Sequence, residues 1–137
     1  MVRNFNKTDI PFIQENLKYF QSKVSKNLFE NQFSNFLVCE ANNEKVGFLQ
    51  YSEYYDRVEI DYIFVCLNYR RCGFAKEMLQ FLLKYCETKK YENITLEVSE
   101  KNDAAINLYK RFGFVEAATR ENYYGHGESA LLMIRRF

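Results

Sequence analysis

The run from Val58 to Cys86 limits most what this chain can fold into. Val58, Ile60, Tyr62 and Phe64 alternate with Glu59, Asp61, Ile63 and Val65. That pattern predicts a strand with one polar face at its start and two apolar faces at its end. Asn68-Tyr69-Arg70-Arg71-Cys72-Gly73-Phe74-Ala75 follows as a short basic turn. Ala75 to Cys86 then places Met78, Leu79, Leu82, Leu83 and Cys86 on one stripe, which predicts a helix. A strand, a glycine turn and a helix start aim the first free N–H groups and the positive end of the helix dipole at one spot. Arg70 and Arg71 add full charge beside it, so the turn suits a diphosphate. It lacks the Gly-Lys-Ser/Thr ending of a nucleotide P-loop and the three-glycine dinucleotide fingerprint. Taken alone it reads first as a helix entry.

The rest of the pattern is short strands and helices. Pro11 falls near a helix start, with Thr8 or Asp9 as N-cap, and Phe12, Ile13, Leu17 and Phe20 recur at helical spacing. A second short helix is expected over Lys26 to Phe33. Phe36 to Ala41 and Lys45 to Glu53 read as a hairpin turning at Asn42-Asn43. Ile94 to Val98 is a strand, and Asn102 to Phe112 a helix capped by Asn102 or Asp103 and stopped by Gly113. Phe114 to Thr119 and Ser129 to Arg135 read as two closing strands. Hairpin strands followed by strand–helix units predict a mixed α/β or α+β sheet in a single domain, as 137 residues allow.

Charge and cysteine usage narrow the function. A net charge of +1 points away from general nucleic-acid binding. Four cysteines without a Cys-x-x-Cys pair, and one histidine, point away from a structural zinc site, and no metal is expected. Cys39, Cys66 and Cys86 read as buried free thiols of a reducing compartment. Cys72, at a helix N-terminus between Arg71 and Gly73, reads first as a turn residue, although such placements also activate thiols. No apolar run approaches membrane-spanning length and the first ten residues carry no signal core, so a cytoplasmic protein is expected.

Three residues carry candidate chemistry. Ile94, Leu96 and Val98 share a face, so Glu97 points away from it. A carboxylate there is either solvated or serves as a general base in a cleft. Asn102 and Tyr109 are two helical turns apart and share a helix face. Tyr109 is either a core aromatic or a phenol acid, and Asn102 either an N-cap or a ligand contact. His126, between two glycines, reads as a loop residue.

The ordered series Ile63-Phe64-Val65, Tyr69 to Ala75, Leu96-Glu97-Val98, Asn102 to Ile106 and Leu108 to Phe114 resembles the GNAT acyltransferases. Within them it is most similar to the ribosomal-protein alanine N-acetyltransferases, the RimI group, and Asn122-Tyr123-Tyr124 is similar to that group too. The likeness runs from about residue 58 to 137. It implies a GNAT fold, a twisted mixed sheet of six or seven strands with helices on both faces and a splayed central cleft. It implies acetyl-CoA as donor. Arg70, Arg71, Cys72, Gly73, Phe74 and Ala75 would cradle the pyrophosphate. Ile63, Phe64 and Val65 would pair with the pantetheine arm like an added strand, and Asn102 would contact the same arm. Glu97 falls on the general base and Tyr109, twelve residues on, on the acid. Tyr123 and Tyr124 would wall the acceptor groove.

The acceptor implied is a protein N-terminal α-amine. Its ordinary pKa of about 7.7–8.0 leaves a fair neutral fraction near pH 7. A lysine near 10.4 demands roughly 2.5 further units, about 3.5 kcal/mol, of its base. One carboxylate suits the first task better. Direct transfer needs neither a metal nor an enzyme nucleophile, which agrees with the sparse Cys/His inventory. Two rivals remain. One is a small-amine or lysine acetyltransferase using Glu59 or Asp61, taken to face the cleft on the side of Ile63 and Val65. The other is a silent acyl-CoA-binding protein. The oligomeric state is left open by the sequence.

Overall fold

The computed structural model describes residues 1–17, 29, 34–125 and 127–137. Its strands are β1 (Val2–Asn4), β2 (Ser34–Ala41), β3 (Glu44–Tyr54), β4 (Arg57–Val65), β5 (Asn93–Ser99), β6 (Val115–Arg120) and β7 (Ala130–Arg136). Its α-helices are α1 (Ile10–Leu17), α2 (Phe74–Lys89) and α3 (Asp103–Arg111). The strands form one sheet in the order β1-β2-β3-β4-β5-β7-β6. Every neighbouring pair is antiparallel except β4 and β5, which run parallel. A parallel pair needs a crossover, and α2 supplies it.

Both faces of the sheet are covered, as the apolar patterning predicts. Leu79, Leu82 and Cys86 of α2 and Ile106 of α3 pack on Leu37, Leu49, Val58, Ile60, Ile94 and Leu96. Ile13 and Leu17 of α1 pack on Phe36, Val38, Phe48 and Phe64 from the other side. The hairpin at Asn42-Asn43 has both residues at positive φ, the conformation that asparagine tolerates best after glycine. The stripe predicted for α2, Met78, Leu79, Leu82, Leu83 and Cys86, is its buried face.

One irregularity shapes the centre. The β3–β4 register runs Gln50↔Tyr62 and then Tyr51↔Ile60, so Asp61 is the extra residue of a bulge. A one-residue insertion flips the in/out parity of everything beyond it. Ile63 and Val65 therefore pack on the same cluster as Val58 and Ile60, while Tyr62 and Phe64 join the α1 side. The expectation that Glu59 and Asp61 share a side with Ile63 and Val65 is corrected by this bulge: they lie on the opposite face. The β4–β5 ladder also stops at Ile60↔Leu96, while β4 stays paired to β3 as far as Val65. The two central strands part from there on. Gly47, opposite Val65, permits the close approach of β3 and β4, since a Cβ there would sit 2.5 Å from the Phe64 carbonyl oxygen.

The N-terminal elements differ from expectation in their caps. A 3-10 turn, Lys7–Asp9, precedes α1, and its cap is Asn6, whose side chain accepts from the Thr8 N–H at 2.9 Å. Asp9 is fully buried and takes two 2.8 Å hydrogen bonds from Arg3, with Lys45 Nζ 2.9 Å away. Burial pushes its carboxyl up, but Arg3, the Asn6 N–H and Lys45 outweigh burial and hold it well below the usual carboxylate range. The short strand β1 adds an edge that sequence pattern does not announce. The helix expected over Lys26 to Phe33 lies outside the described residues, Phe29 aside, as does Phe20.

Candidate active site

At one end of β4 the basic turn enters α2 through Gly73, whose φ of +87° is the left-handed region that favours glycine. No side chain caps this helix start, so its first N–H groups face outward. A Cβ at Gly73 would meet nothing within 4 Å. Arg70 and Arg71 are exposed beside it. The turn is braced from behind: Arg70 Nε donates to the Val65 carbonyl at 3.0 Å, and the Tyr69 hydroxyl donates to Glu44 at 2.6 Å. An open, uncapped helix start with arginines at its rim fits a diphosphate. Cys72 is exposed, with Sγ 3.5 Å from the Arg70 carbonyl oxygen.

Where β4 and β5 part, a cleft of about 940 Å³ opens. It gathers Glu97, Tyr109, Asn102, Ile63, Tyr123 and Tyr124, and the rival carboxylates Glu59 and Asp61 as well. Phe64 is not among its walls; it is buried in the α1 cluster, its ring 5.5 Å from that of Phe48. Val65 and the turn from Arg70 to Ala75 also lie outside the cleft lining. The predicted residues thus fall into two places, the cleft and the α2 entry, joined by the far half of β4.

Glu97 is mostly buried, and among the described residues only one of its oxygens is paired. Its side chain is 19% exposed; Oε1 lies 3.4 Å from Arg120 Nη2, and Oε2 is buried without a hydrogen-bond partner among the described residues. Tyr109 stacks edge-on against Phe114 at 5.8 Å. Among the described residues nothing hydrogen-bonds its hydroxyl. Burial, aided by the Tyr124 phenol, pushes the Tyr109 phenol up to about 12. Asn102 is the N-cap of α3, accepting from the Ala105 N–H at 3.2 Å, and also faces the cleft.

Asp61 differs from Glu97 in kind. Its Oδ2 accepts from the Ser52 hydroxyl at 2.6 Å. Burial raises its carboxyl to about 6, against the opposing hydrogen bond from Ser52 and with the help of Glu59. Tyr123 and Tyr124 meet edge-to-face at 5.0 Å on a loop pinned to the end of β5. The Ser99 hydroxyl donates to Glu128, and the Ser129 N–H donates to Glu100 at 3.3 Å. His126, in the same loop, lies outside the described residues.

Sequence reasoning misses Arg120, Gln50 and Ser52. Arg120 comes from the exposed strand β6, spans Glu97 and the Tyr123 ring (5.2 Å), and has no sequence signal. Gln50 and Ser52 have one: they are polar positions inside the otherwise apolar run of β3 and are 4% and 5% exposed.

A sheet split between its central strands, a carboxylate and a phenol in the split, and an open helix N-terminus at the strand's end define an acyl-CoA-dependent acyltransferase architecture. The chain belongs to the Acetyltransferase (GNAT) family, whose pattern matches residues 3–114, so the family likeness extends through the N-terminal half as well. It is 30% identical to a Bacillus subtilis (strain 168) protein provisionally assigned as a ribosomal protein bS18-alanine N-acetyltransferase, over 96% of this chain and 92% of that one. It is 34% identical to an N-alpha-acetyltransferase of Sulfurisphaera tokodaii, over 72% of this chain and 66% of that one. The crystal structure of the Escherichia coli ribosomal-protein-S18-alanine N-acetyltransferase superposes with a TM-score of 0.88 at 25% identity, covering 99% and 92% of the two chains.

Proposed function

We propose that this N-acetyltransferase moves acetyl from acetyl-CoA to the α-amine of a protein N-terminus, with Glu97 as general base and Tyr109 as general acid. Acetyl-CoA supplies the acetyl group as an activated thioester. Backbone N–H groups from Arg70 to Ala75 hold its diphosphate, and the unpaired edge of β4 from Ile63 to Val65 takes the amide-bearing arm, with Asn102 beside it. Glu97 accepts the proton that the amine nitrogen loses as its bond to the acetyl carbon forms. Tyr109 returns a proton to the departing sulfur. Arg120 orients Glu97 by one oxygen, and Tyr123 and Tyr124 wall the acceptor groove.

The observation that carries this reading is the buried, unpartnered Glu97 Oε2 in the cleft that also holds the free Tyr109 hydroxyl. A buried carboxylate oxygen without a protein donor calls for one from outside the chain, which an amine seated in the cleft would supply. The relatives named as alanine and α-amine acetyltransferases support the acceptor. The four free thiols support a cytoplasmic setting, and the chain acts as one domain. The test is mass spectrometry after incubation with acetyl-CoA and a panel of N-terminal peptides, lysine peptides and polyamines. Acetylation of N-terminal α-amines is expected; acetylation confined to polyamines would overturn the reading.

A second reading rests on Asp61. Its carboxyl, raised to about 6 in the same cleft, is also a competent base, and would serve a small-molecule or lysine amine.

A further inference from the structure

Gln50 is 4% exposed, lines the cleft, and leaves its Oε1 without a hydrogen-bond partner among the described residues. A buried amide oxygen left unsatisfied is destabilising, and in a native fold it is completed by a bound ligand or an ordered water. Neither the acid–base pair nor the diphosphate turn uses it.

Its place in the sheet says what the ligand must reach. Leu49 and Tyr51 pack into the α2 cluster, so Gln50 points to the opposite face. Ile94, Leu96 and Val98 pack into that cluster too, so Glu97 shares the face of Gln50. Gln50 pairs with Tyr62 on β4, and β4 pairs with β5 up to Leu96, the residue before Glu97. The two side chains thus stand near one row of the sheet, two strands apart. Strand spacing makes that about 10 Å, and more where β4 and β5 part. A small amine seated at Glu97 ends before Gln50. An extended peptide advances about 3.3 Å per residue and reaches it with its second or third peptide linkage.

From this we infer that Gln50 is a specificity-determining residue for the acceptor, its carboxamide oxygen accepting a hydrogen bond from a backbone N–H of the acceptor peptide two or three linkages from the reacting amine. The inference rests on the N-terminal reading and deepens it. The Gln50 oxygen accepts from a backbone N–H, so the contact is blind to acceptor side chains. It selects for an acceptor with a donor about 10 Å from the reacting amine over a short monoamine. The pantetheine arm of the donor also carries amide N–H groups, and the experiment separates the two sources.

The experiment is an ester scan. Acceptor peptides with the first, second or third linkage changed from amide to ester are compared on the wild-type chain and on Gln50→Met. Expected is a KM rise of about tenfold for the second or third ester on the wild type, with kcat within twofold. Gln50→Met should raise KM for the all-amide peptide by a similar factor and lose its sensitivity to the ester. Calorimetric acetyl-CoA affinity should be unchanged in Gln50→Met. An ester penalty of equal size in both chains, or no penalty at the second and third linkages, overturns the inference. So does a tenfold loss of acetyl-CoA affinity, which assigns Gln50 to the donor arm. Gln50→Leu carries the same comparison if Gln50→Met folds poorly, since it too removes the acceptor oxygen. A wild type that acetylates no peptide at all defeats the N-terminal reading itself and the Gln50 inference with it. Peptide acetylation with no ester effect defeats only the latter.

Discussion

Arg120 Nη2 stands 3.4 Å from Glu97 Oε1, while the other oxygen of that carboxylate is buried and unpartnered. One oxygen is oriented from the rim; in the proposed reaction the other receives the proton. The arginine is 60% exposed, so water screens most of its charge. Arg120→Ala is therefore expected to lower kcat only about two- to threefold. Glu97→Gln keeps the shape and removes the proposed base, and should lower kcat about a hundredfold or more without weakening acetyl-CoA binding. Steady-state kinetics on an N-terminal peptide, with calorimetry for the donor, separate the two. Equal losses in both variants would mean that the pair acts as a structural ion pair.

Tyr109 owes its high proton affinity to burial first. Raised to about 12, it stays protonated wherever the enzyme is assayed. Tyr109→Phe should lower kcat about a hundredfold, and the wild-type rate profile should show no descending limb from this group below about pH 11. The folded state keeps this proton after the unfolded chain has lost its own near pH 10. Its contribution to stability is thus full below pH 10 and is lost as pH climbs through 12. Tyr85, also raised to about 12 by burial and by the Glu53 carboxylate accepting from it at 2.8 Å, acts in the same direction. Urea midpoints should fall between pH 9 and pH 11.

The neighbouring carboxylate reverses the logic. Asp61 is raised from 3.8 to about 6, so the unfolded chain ionises first as pH rises. Stability present below about pH 4 is lost by about pH 6. Asp61→Asn removes that loss. The variant should gain on its parent between pH 4 and pH 7, by of order 1 kcal/mol once partial solvent screening is allowed for. Urea denaturation at the two pH values measures it. The same variant should keep kcat for an N-terminal peptide within about threefold. A hundredfold loss there would move the base from Glu97 to Asp61.

How far the site was legible follows from which parts are local. The strand–turn–helix from Val58 to Cys86 and the cap at Asn102 are written in adjacent residues, and pattern alone places them. Glu97 is legible too, because its neighbours Leu96 and Val98 fix its face. The bulge at Asp61 is not: it arises from the register between β3 and β4, which no single strand encodes, and it reverses the side on which Glu59 and Asp61 stand relative to Ile63. Arg120 belongs to a strand exposed along its whole length, where one arginine resembles another until β7 brings it over Glu97. Asp9 looks like a cap beside Pro11, and only the return of Arg3 and Lys45 from β1 and β3 makes it a buried ion cluster.

The α2 entry yields the last prediction. Gly73 sits at φ +87° with open space where a Cβ would go, so an added methyl group meets no neighbour and acts through the backbone alone. Holding an alanine there costs about 1 kcal/mol, and the strain is relieved by turning the first N–H groups away from their common focus. Gly73→Ala is expected to weaken acetyl-CoA binding about tenfold while leaving kcat at saturation near that of the parent. Arg71→Ala removes charge without moving the turn. It should weaken binding about threefold and flatten the dependence of affinity on salt, because an exposed arginine is screened. Calorimetric titration at two ionic strengths reads both effects. Parental affinity in Gly73→Ala would place the diphosphate elsewhere than on this turn.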